Sequence, residues 1–325
     1  MRIAFIGSGG IAQAHAKGLV QREGLVTFAG AFDVVAQRAL DFTAQYGGTP
    51  YDSVTALLDE AKPDAVWVCL PPFAHGEAEL ALAERGIPFL VEKPISNSLE
   101  TARRVLDALE RTGTFGAAGY MTRYRAGVNR AREILRQDTP VLVHGGWVGG
   151  APGVAWWRVK AQSGGQIVEQ TTHIFDLTRY LIGEPKVVYA WGTRGFVQDM
   201  PNYDVEDAST VMIEFENGAV GNLMSCCASR AGGGVHLTVA ATQHYLSFTG
   251  WEHTLVLRKP RAEEEQIAGE MNIFEIEDGA FIQAVQTGDT SLVLSPYADA
   301  VKTLAFCLAA NESLETGQPV VVAAL

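Results

Sequence analysis

The 325-residue sequence has little of what a nucleic-acid-binding or membrane-spanning protein requires. Its formal charge of −12 at pH 7 argues against nucleic acid or an anionic membrane as the main partner. No apolar run is long enough to span a bilayer, and the first residues lack the charged and apolar regions of a secretory leader. We therefore expect a cytoplasmic protein that binds a small molecule.

Cysteine is also scarce, and its spacing argues against two kinds of stabilising site. The four cysteines are Cys69, Cys226, Cys227 and Cys307. They form no C-x-x-C pair, no second pair at a zinc spacing and no disulfide framework. We therefore expect small buried thiols and no metal site.

The pattern along the chain predicts two domains of different architecture, because 325 residues exceed what one hydrophobic core usually supports. Strand-like and helical runs alternate over 1–121, which predicts an α/β domain with a doubly wound parallel sheet. Over 122–325, strands joined by short turns such as Asn217-Gly218 predict an α+β domain with a large, open, mostly antiparallel sheet. The open face of such a sheet favours a homodimer or homotetramer.

A glycine-rich turn follows the first predicted strand and opens a helix predicted to end near Arg22. Gly7 begins a tight turn, and Gly9 lets the backbone approach a pyrophosphate without a Cβ in the way. The N–H groups and the dipole at the start of the helix would face the phosphates. The predicted cofactor contacts in this turn are Gly7, Gly9, Gly10, Ile11 and Ala12.

Asp33 completes this dinucleotide-binding pattern at the end of a strand predicted over 26–32. A carboxylate about twenty residues beyond the glycines accepts hydrogen bonds from an adenosine ribose and repels a 2′-phosphate. The sequence therefore predicts NAD as the cofactor. Arg38, one helical turn further on, leaves NADP open.

The tripeptide Glu92-Lys93-Pro94 closes a later strand predicted over 88–92. Pro94 restrains Lys93 to an extended conformation, which predicts a catalytic or substrate-orienting lysine beside the cofactor. The alternative is a surface lysine that pairs with Glu92. His75 suits either a helix cap or a cofactor contact. The cofactor contacts predicted near these strand ends are Leu70, Pro71, His75, Glu92 and Lys93.

A polar stripe interrupts a long helix predicted from Gly165 to Leu181. Glu169, His173 and Asp176 are spaced to share one helical face. A helix with its polar side in solvent would explain them, and a metal site would need a second histidine on this face. A proton-handling imidazole oriented by carboxylates is the functional interpretation.

Aromatic residues combined with arginine suit a sugar or polyol, whose C–H faces lie on rings while its hydroxyls accept hydrogen bonds from donors. Core packing explains at least one of Trp156 and Trp157 equally well. The predicted substrate contacts are Tyr120, Arg123, Trp157 and Asp176.

These motifs, together with the closing run from Asp299 to Val320, resemble the glucose-fructose oxidoreductase, inositol dehydrogenase and MocA family (GFO/IDH/MocA) over nearly the whole chain. The resemblance implies a Rossmann domain followed by a larger α/β domain. It also implies a catalytic group of Lys93, Glu169 and His173, although the family more often has Asp in place of Glu169. Either isomer of the Lys93–Pro94 bond is compatible with it.

The resemblance and the motifs together predict an enzyme that oxidises a secondary alcohol of a sugar or cyclic polyol with NAD, or runs the reverse reduction. His173 would take the hydroxyl proton, Lys93 would stabilise the oxygen, and Glu169 would orient the imidazole. One alternative is an enzyme that eliminates a glycoside by transient oxidation with tightly held NAD. Another is a dinucleotide-dependent sensor without catalysis.

Overall fold

The computed structural model describes residues 1–21 and 24–324, which divide into two compact units. Unit 1 comprises 1–121 and 272–300, and unit 2 comprises 122–271 and the chain from Val301 to the last described residue. The predicted end of the first helix at Arg22 lies outside the described residues.

Unit 1 contains a six-stranded, fully parallel sheet in the order β3-β2-β1-β4-β5-β6, the strand order of a Rossmann fold. The prediction of a doubly wound parallel sheet is confirmed. Its elements are β1 (Arg2–Ile6), α1 (Gly10–Val20), β2 (Thr27–Phe32), α2 (Ala36–Tyr46), β3 (Thr49–Tyr51), α3 (Val54–Ala56), β4 (Ala65–Val68), α4 (Glu77–Glu84), β5 (Phe89–Val91), α5 (Leu99–Thr112) and β6 (Gly116–Ala118).

The central strands of this sheet are apolar on both faces because helices cover both sides. All four residues of β4 are buried, and the Phe5 ring of β1 lies 5.8 Å from the Trp67 ring of β4. The short edge strand β3 has the sequence Thr-Pro-Tyr, whose proline is tolerated only at a sheet edge. The sequence analysis did not predict this strand.

Unit 2 contains a nine-stranded sheet in the order β14-β13-β12-β11-β7-β10-β9-β8-β15, in which only β7 and β10 pair in parallel among the described residues. The predicted open, mostly antiparallel sheet is confirmed. The elements after β6 are α6 (Ala126–Leu135), β7 (Pro140–Val148), α7 (Lys160–Ser163), α8 (Gly165–Glu169), α9 (Thr172–Ile182), β8 (Pro185–Thr193), β9 (Ala208–Phe215), β10 (Val220–Cys226), β11 (Gly234–Ala241), β12 (Tyr245–Thr249), β13 (Thr254–Arg258), β14 (Glu265–Ile267), α10 (Ile273–Thr287), α11 (Tyr297–Thr316) and β15 (Val320–Val321).

The helix α10 packs with unit 1, whereas the predicted second domain, 122–325, included it. The Phe281 ring lies edge-on to Trp67 at 5.2 Å, and Asp278 accepts a hydrogen bond from Trp67 Nε1 at 2.8 Å. These are contacts between residues more than 200 positions apart, which periodicity along the chain does not reveal.

The long helix predicted from Gly165 to Leu181 is divided into α8 and α9. The Gln166 carbonyl accepts both the Gln170 N–H at 3.0 Å and the Thr171 N–H at 2.9 Å, so one turn is a residue wider than an α-turn. The Thr171 hydroxyl accepts a hydrogen bond from Ser225 Oγ on β10 at 2.8 Å. Glu169 and His173 consequently belong to two helices.

Within the described part of the chain, no helix combines the length and the apolar character needed to cross a bilayer.

Candidate functional site

The glycine turn of unit 1 leaves open space at the start of α1. Gly7 has a φ of 87°, and a Cβ there would lie 2.2 Å from the Cys69 carbonyl oxygen, so the turn requires glycine. A Cβ built on Gly9 or Gly10 would meet no atom of the described residues within 4 Å. Gly9 directly precedes α1 and has no side chain, so the backbone at the N-terminal end of this helix can approach a pyrophosphate.

The other residues of the turn divide between packing and ligand contact. Ala12 is fully buried in the unit 1 core, and Ile11 packs against that core. Both side chains contribute to helix packing, and the cofactor contacts predicted at these two residues stay predictions. The Ser8 hydroxyl is buried and has no hydrogen-bond partner among the described residues. An unsatisfied buried hydroxyl beside the open turn fits the binding of a polar group.

Asp33, at the end of β2, is bound on both carboxylate oxygens by backbone donors. Oδ2 accepts the Ser8 N–H at 2.9 Å, and Oδ1 accepts the Val35 N–H at 2.9 Å. These bonds hold the carboxylate against the glycine turn, where each oxygen still has a lone pair for a ribose hydroxyl. The half-exposed Arg38 lies 3.9 Å from Oδ1.

The loop after β4 contains three of the predicted cofactor contacts. Leu70 and Pro71 are partly exposed. The buried His75 ring is instead bound through Nδ1 to Glu79 at 2.6 Å, and the same carboxylate accepts the Gly76 N–H at 2.7 Å. His75 and Glu79 thus secure the start of α4, as the capping alternative for His75 predicts. The cofactor contact predicted at His75 stays a prediction.

Glu92, a predicted cofactor contact, is part of a buried ionic network. Its Oε1 lies 3.0 Å from His15 Nε2, and His15 Nδ1 lies 2.8 Å from Asp278 Oδ1. Burial lowers the pKa of His15, but the charges of Asp278 and Glu92 outweigh it and hold that pKa well above its ordinary value. The network therefore contains a protonated imidazole between two carboxylates and joins α1, β5 and α10.

Lys93 follows β5 at the carboxyl edge of the parallel sheet, the edge that also carries the glycine turn. Its side chain is partly buried, and its backbone N–H donates to Glu92 Oε2 at 3.0 Å. The Lys93–Pro94 bond is cis. The His15 network thus fixes the backbone from which the lysine side chain leaves.

Glu169, at the end of α8, is held by a tryptophan predicted to contact substrate. Trp157 Nε1 donates to Glu169 Oε2 at 2.6 Å. Trp157 is fully buried in a cluster with Val205 and Cys227. Its indole packs in a core and holds a carboxylate, and the substrate contact predicted at Trp157 stays a prediction.

His173, in the first turn of α9, lies beside two tryptophans of unit 2, which also contact each other. Its ring centroid is 6.0 Å from that of Trp147 and 6.1 Å from that of Trp251. The imidazole is mostly buried, at 4% exposure. Sequence reasoning missed both tryptophans. The only signal was an aromatic residue at a strand end and another directly after Gly250 in a turn.

Asp176 and Arg123, both predicted to contact substrate, bind each other in the interior of unit 2. Arg123 Nε and Nη2 donate to the two carboxylate oxygens of Asp176 at 2.8 and 2.5 Å, and Thr303 Oγ1 donates to Oδ1 at 2.8 Å. Neither side chain of the pair is more than 2% exposed. The two residues form a buried ion pair, and the substrate contacts predicted at them stay predictions. Tyr120, after β6, is also buried, at 1% exposure.

Replacing Asp176 with Ala is expected to lower the free energy of unfolding by about 3–5 kcal/mol, because Arg123 would remain buried without this partner. Chemical denaturation of both proteins measures the difference. The control is Lys186→Ala, which breaks an exposed pair with Glu214 and is expected to cost no more than about 1 kcal/mol. Equal small losses would contradict the structural role of the buried pair.

No group of three or more His, Cys, Asp or Glu side chains among the described residues is arranged to hold a metal ion. The four cysteines are free, and only Cys226 is not fully buried. Among the predicted catalytic residues, Lys93 lies in unit 1, whereas Glu169 and His173 lie in unit 2.

Two family models match this chain. Residues 1–120 match the oxidoreductase family GFO/IDH/MocA, described as having an NAD-binding Rossmann fold, and residues 129–247 match the GFO/IDH/MocA C-terminal domain. Together the two matches cover well over half of the sequence.

Some similar proteins match nearly the whole chain, and another matches about two thirds of it. The chain is 26% identical to scyllo-inositol 2-dehydrogenase (NAD(+)) of Bacillus subtilis strain 168, covering 98% of this chain and 96% of that protein. It is 28% identical to D-glucoside 3-dehydrogenase of Escherichia coli K12 over 68% of each chain. A levoglucosan dehydrogenase structure in complex with NADH and levoglucosan shares the fold with a TM-score of 0.90, at 18% identity and 100% coverage of both chains.

Proposed function

Because the chain belongs to the GFO/IDH/MocA family of NAD-binding oxidoreductases, we propose that it transfers hydride between a secondary alcohol of a sugar or cyclic polyol and nicotinamide. The observation that carries the proposal is in unit 1, where the open Gly9–Gly10 turn and Lys93 share the carboxyl edge of the sheet. Dinucleotides bind at this edge in doubly wound sheets. The named relatives support the substrate class, since they act on inositol and a glucoside.

In the proposed reaction, different residues accept the proton and stabilise the developing charge. When bound, NAD supplies the hydride acceptor. The His173 imidazole takes the hydroxyl proton, and the Lys93 ammonium stabilises the negative charge that develops on the same oxygen. The Trp157 indole holds the Glu169 carboxylate, and we assign that carboxylate the role of orienting the catalytic imidazole.

Asp33 supports NAD as the preferred cofactor. Replacing Asp33 with Ser is expected to raise the ratio of NADP to NAD efficiency, because the charge that repels a 2′-phosphate and an acceptor for the ribose are both removed. Steady-state kinetics with each cofactor measure this ratio. The control is Asp41→Ser on the exposed side of α2. A wild-type protein that already prefers NADP would show that this interpretation of Asp33 is wrong.

The proposed function is tested with a panel of sugars and polyols offered with NAD and NADP, followed by the absorbance of the reduced cofactor. We expect reduction with at least one cyclic compound. Exchange of deuterium from the substrate carbon without net NADH would instead indicate the elimination reaction. Binding of NAD without either reaction, and with an NAD-dependent protein partner, would indicate a sensor.

We also propose that a second copy covers the face of the large sheet opposite α9, which packs on β7 and β11. Pairing register places Leu142, Met212 and Val220 on the uncovered face, where they are 43%, 62% and 50% exposed. Burying such a face is a common basis for a symmetric oligomer. Light scattering is expected to give a dimer or tetramer mass that Met212→Glu reduces. A monomer at micromolar concentration would contradict this.

A cytoplasmic location is part of the same proposal. The four thiols are free, which suits a reducing compartment.

A further inference from the structure

Two tryptophans and His173 form an aromatic corner in unit 2. The Trp147 ring lies at 26° to the imidazole, whereas the Trp251 ring lies at 83° to it. The two indole rings are 5.7 Å apart and 73° to each other. The aromatic corner therefore consists of two indole rings, Trp147 and Trp251, whose planes are nearly perpendicular and which both lie beside the imidazole.

Trp251 is exposed, yet its backbone is firmly held. The side chain is 42% exposed. The Trp251 carbonyl accepts hydrogen bonds from Arg125 Nη2 at 3.1 Å and from His253 Nδ1 at 2.9 Å. Arg125 and His253 are only 1% and 2% exposed. Burial lowers the pKa of His253 to about 4, so at neutral pH its uncharged ring donates from Nδ1.

An exposed indole on such a rigid turn is better suited to contact a ligand than to pack in a core. Gly250, with a φ of 77°, and His253, with a φ of 54°, set the turn that carries Trp251. A ring fixed before binding loses little conformational entropy when a ligand lies against it. Tryptophan also buries a large apolar area for few rotatable bonds.

Two buried amide side chains belong to residues that contact Trp147 or precede His173 closely in the chain. Gln166 Nε2 is 3.5 Å from the Trp147 carbonyl, while Gln166 Oε1 is buried without a partner among the described residues. Gln170 Oε1, three residues before His173, is buried without a partner within the same described set. Buried amide oxygens without donors are unusual, and the hydroxyls of a polyol would satisfy them.

We infer that the aromatic corner, Trp147 and Trp251 beside His173, binds the C–H face of a substrate ring and selects cyclic polyols and pyranoses with equatorial hydroxyls over acyclic polyols. This inference rests on the proposed function. Equatorial hydroxyls leave axial C–H groups on both faces of a ring, and these form an apolar surface that an indole can cover. An open chain offers no such face and loses more entropy on binding.

The test compares Trp251→Ala, Trp251→Phe and wild type. Titration calorimetry with saturating NAD measures Kd for scyllo-inositol, methyl β-D-glucopyranoside and the acyclic D-sorbitol, and steady-state kinetics measure KM and kcat. Trp251→Ala is expected to raise Kd and KM of whichever cyclic probe binds wild type by about tenfold, while kcat changes by less than about threefold. Trp251→Phe is expected to retain most of the affinity, and D-sorbitol binding is expected not to change.

The control is Phe196→Ala, which removes another exposed aromatic ring of unit 2 and is expected to leave all constants unchanged. An unchanged Kd for cyclic probes in Trp251→Ala would overturn the inference, as would equal weakening of D-sorbitol. Failure of both cyclic probes to bind wild type would also overturn it. Binding to wild type without turnover would contradict the proposed function alone, and the Kd comparison would still decide the role of the corner.

Discussion

Replacing Lys93 with Ala is expected to lower turnover by roughly a hundredfold or more while NAD affinity stays within a few-fold. The ammonium group stabilises charge that develops on the substrate oxygen, so its removal affects the reaction more than cofactor binding. Its position after β5, on the sheet edge that carries the open glycine turn, motivates the prediction. Single-turnover kinetics and NAD titration measure the two quantities.

The matched control is Lys17→Ala, which removes an exposed lysine from α1 of the same unit. It is expected to change neither quantity, because Lys17 lies on the solvent side of the helix. Lys93→Arg keeps the charge but moves it, and we expect an intermediate rate. Undiminished turnover in Lys93→Ala would remove the residue from the mechanism.

Replacing His173 with Ala is expected to lower turnover by about 10²- to 10⁴-fold, the usual contribution of a general base. Oxidation by wild type should slow at low pH, because a protonated imidazole cannot accept the hydroxyl proton. This acidic limb of the pH–rate profile should be lost in the variant. Added imidazole should restore part of the rate, which it would not do for a residue that only supports the fold.

His244→Ala provides the matched histidine control, since His244 binds Asp138 at the surface of unit 2 and has no role in the proposed reaction. Glu169→Gln distinguishes the two candidate proton acceptors. If Glu169 only positions His173, this variant should lose much less activity than His173→Ala and should keep the acidic limb. Loss of that limb in Glu169→Gln would instead make Glu169 the primary acceptor.

Local patterns predicted most of the secondary structure and the nucleotide turn. The first predicted strand is observed as β1 (Arg2–Ile6), because an apolar run ends abruptly at a glycine. Gly7 could be interpreted from sequence because its φ of 87° favours glycine, which is a requirement of the backbone itself. The break between α8 and α9 was not predictable, because the bond from Ser225 to Thr171 joins residues 54 positions apart.

The choice among polar and aromatic residues at the site depended on the tertiary structure. Arginine, aspartate and tryptophan near the motif suited a polyol by composition alone. Only the fold pairs Arg123 with Asp176 in the core, because a buried charge needs its partner close by. Likewise, only the fold buries Trp157 and leaves Trp251 exposed beside His173.

By itself, the sequence determined the two architectures, the dinucleotide-binding edge and the lysine that follows β5, since these depend on periodicity and on backbone requirements at single positions. The tertiary structure alone decided that His15 and Asp278 hold Glu92, that α10 belongs with unit 1 and which tryptophans line His173. Those outcomes depend on burial and on pairing between distant residues. The chemistry of a side chain is a local property. Tertiary packing decides which partner lies beside that side chain, and therefore which role it takes.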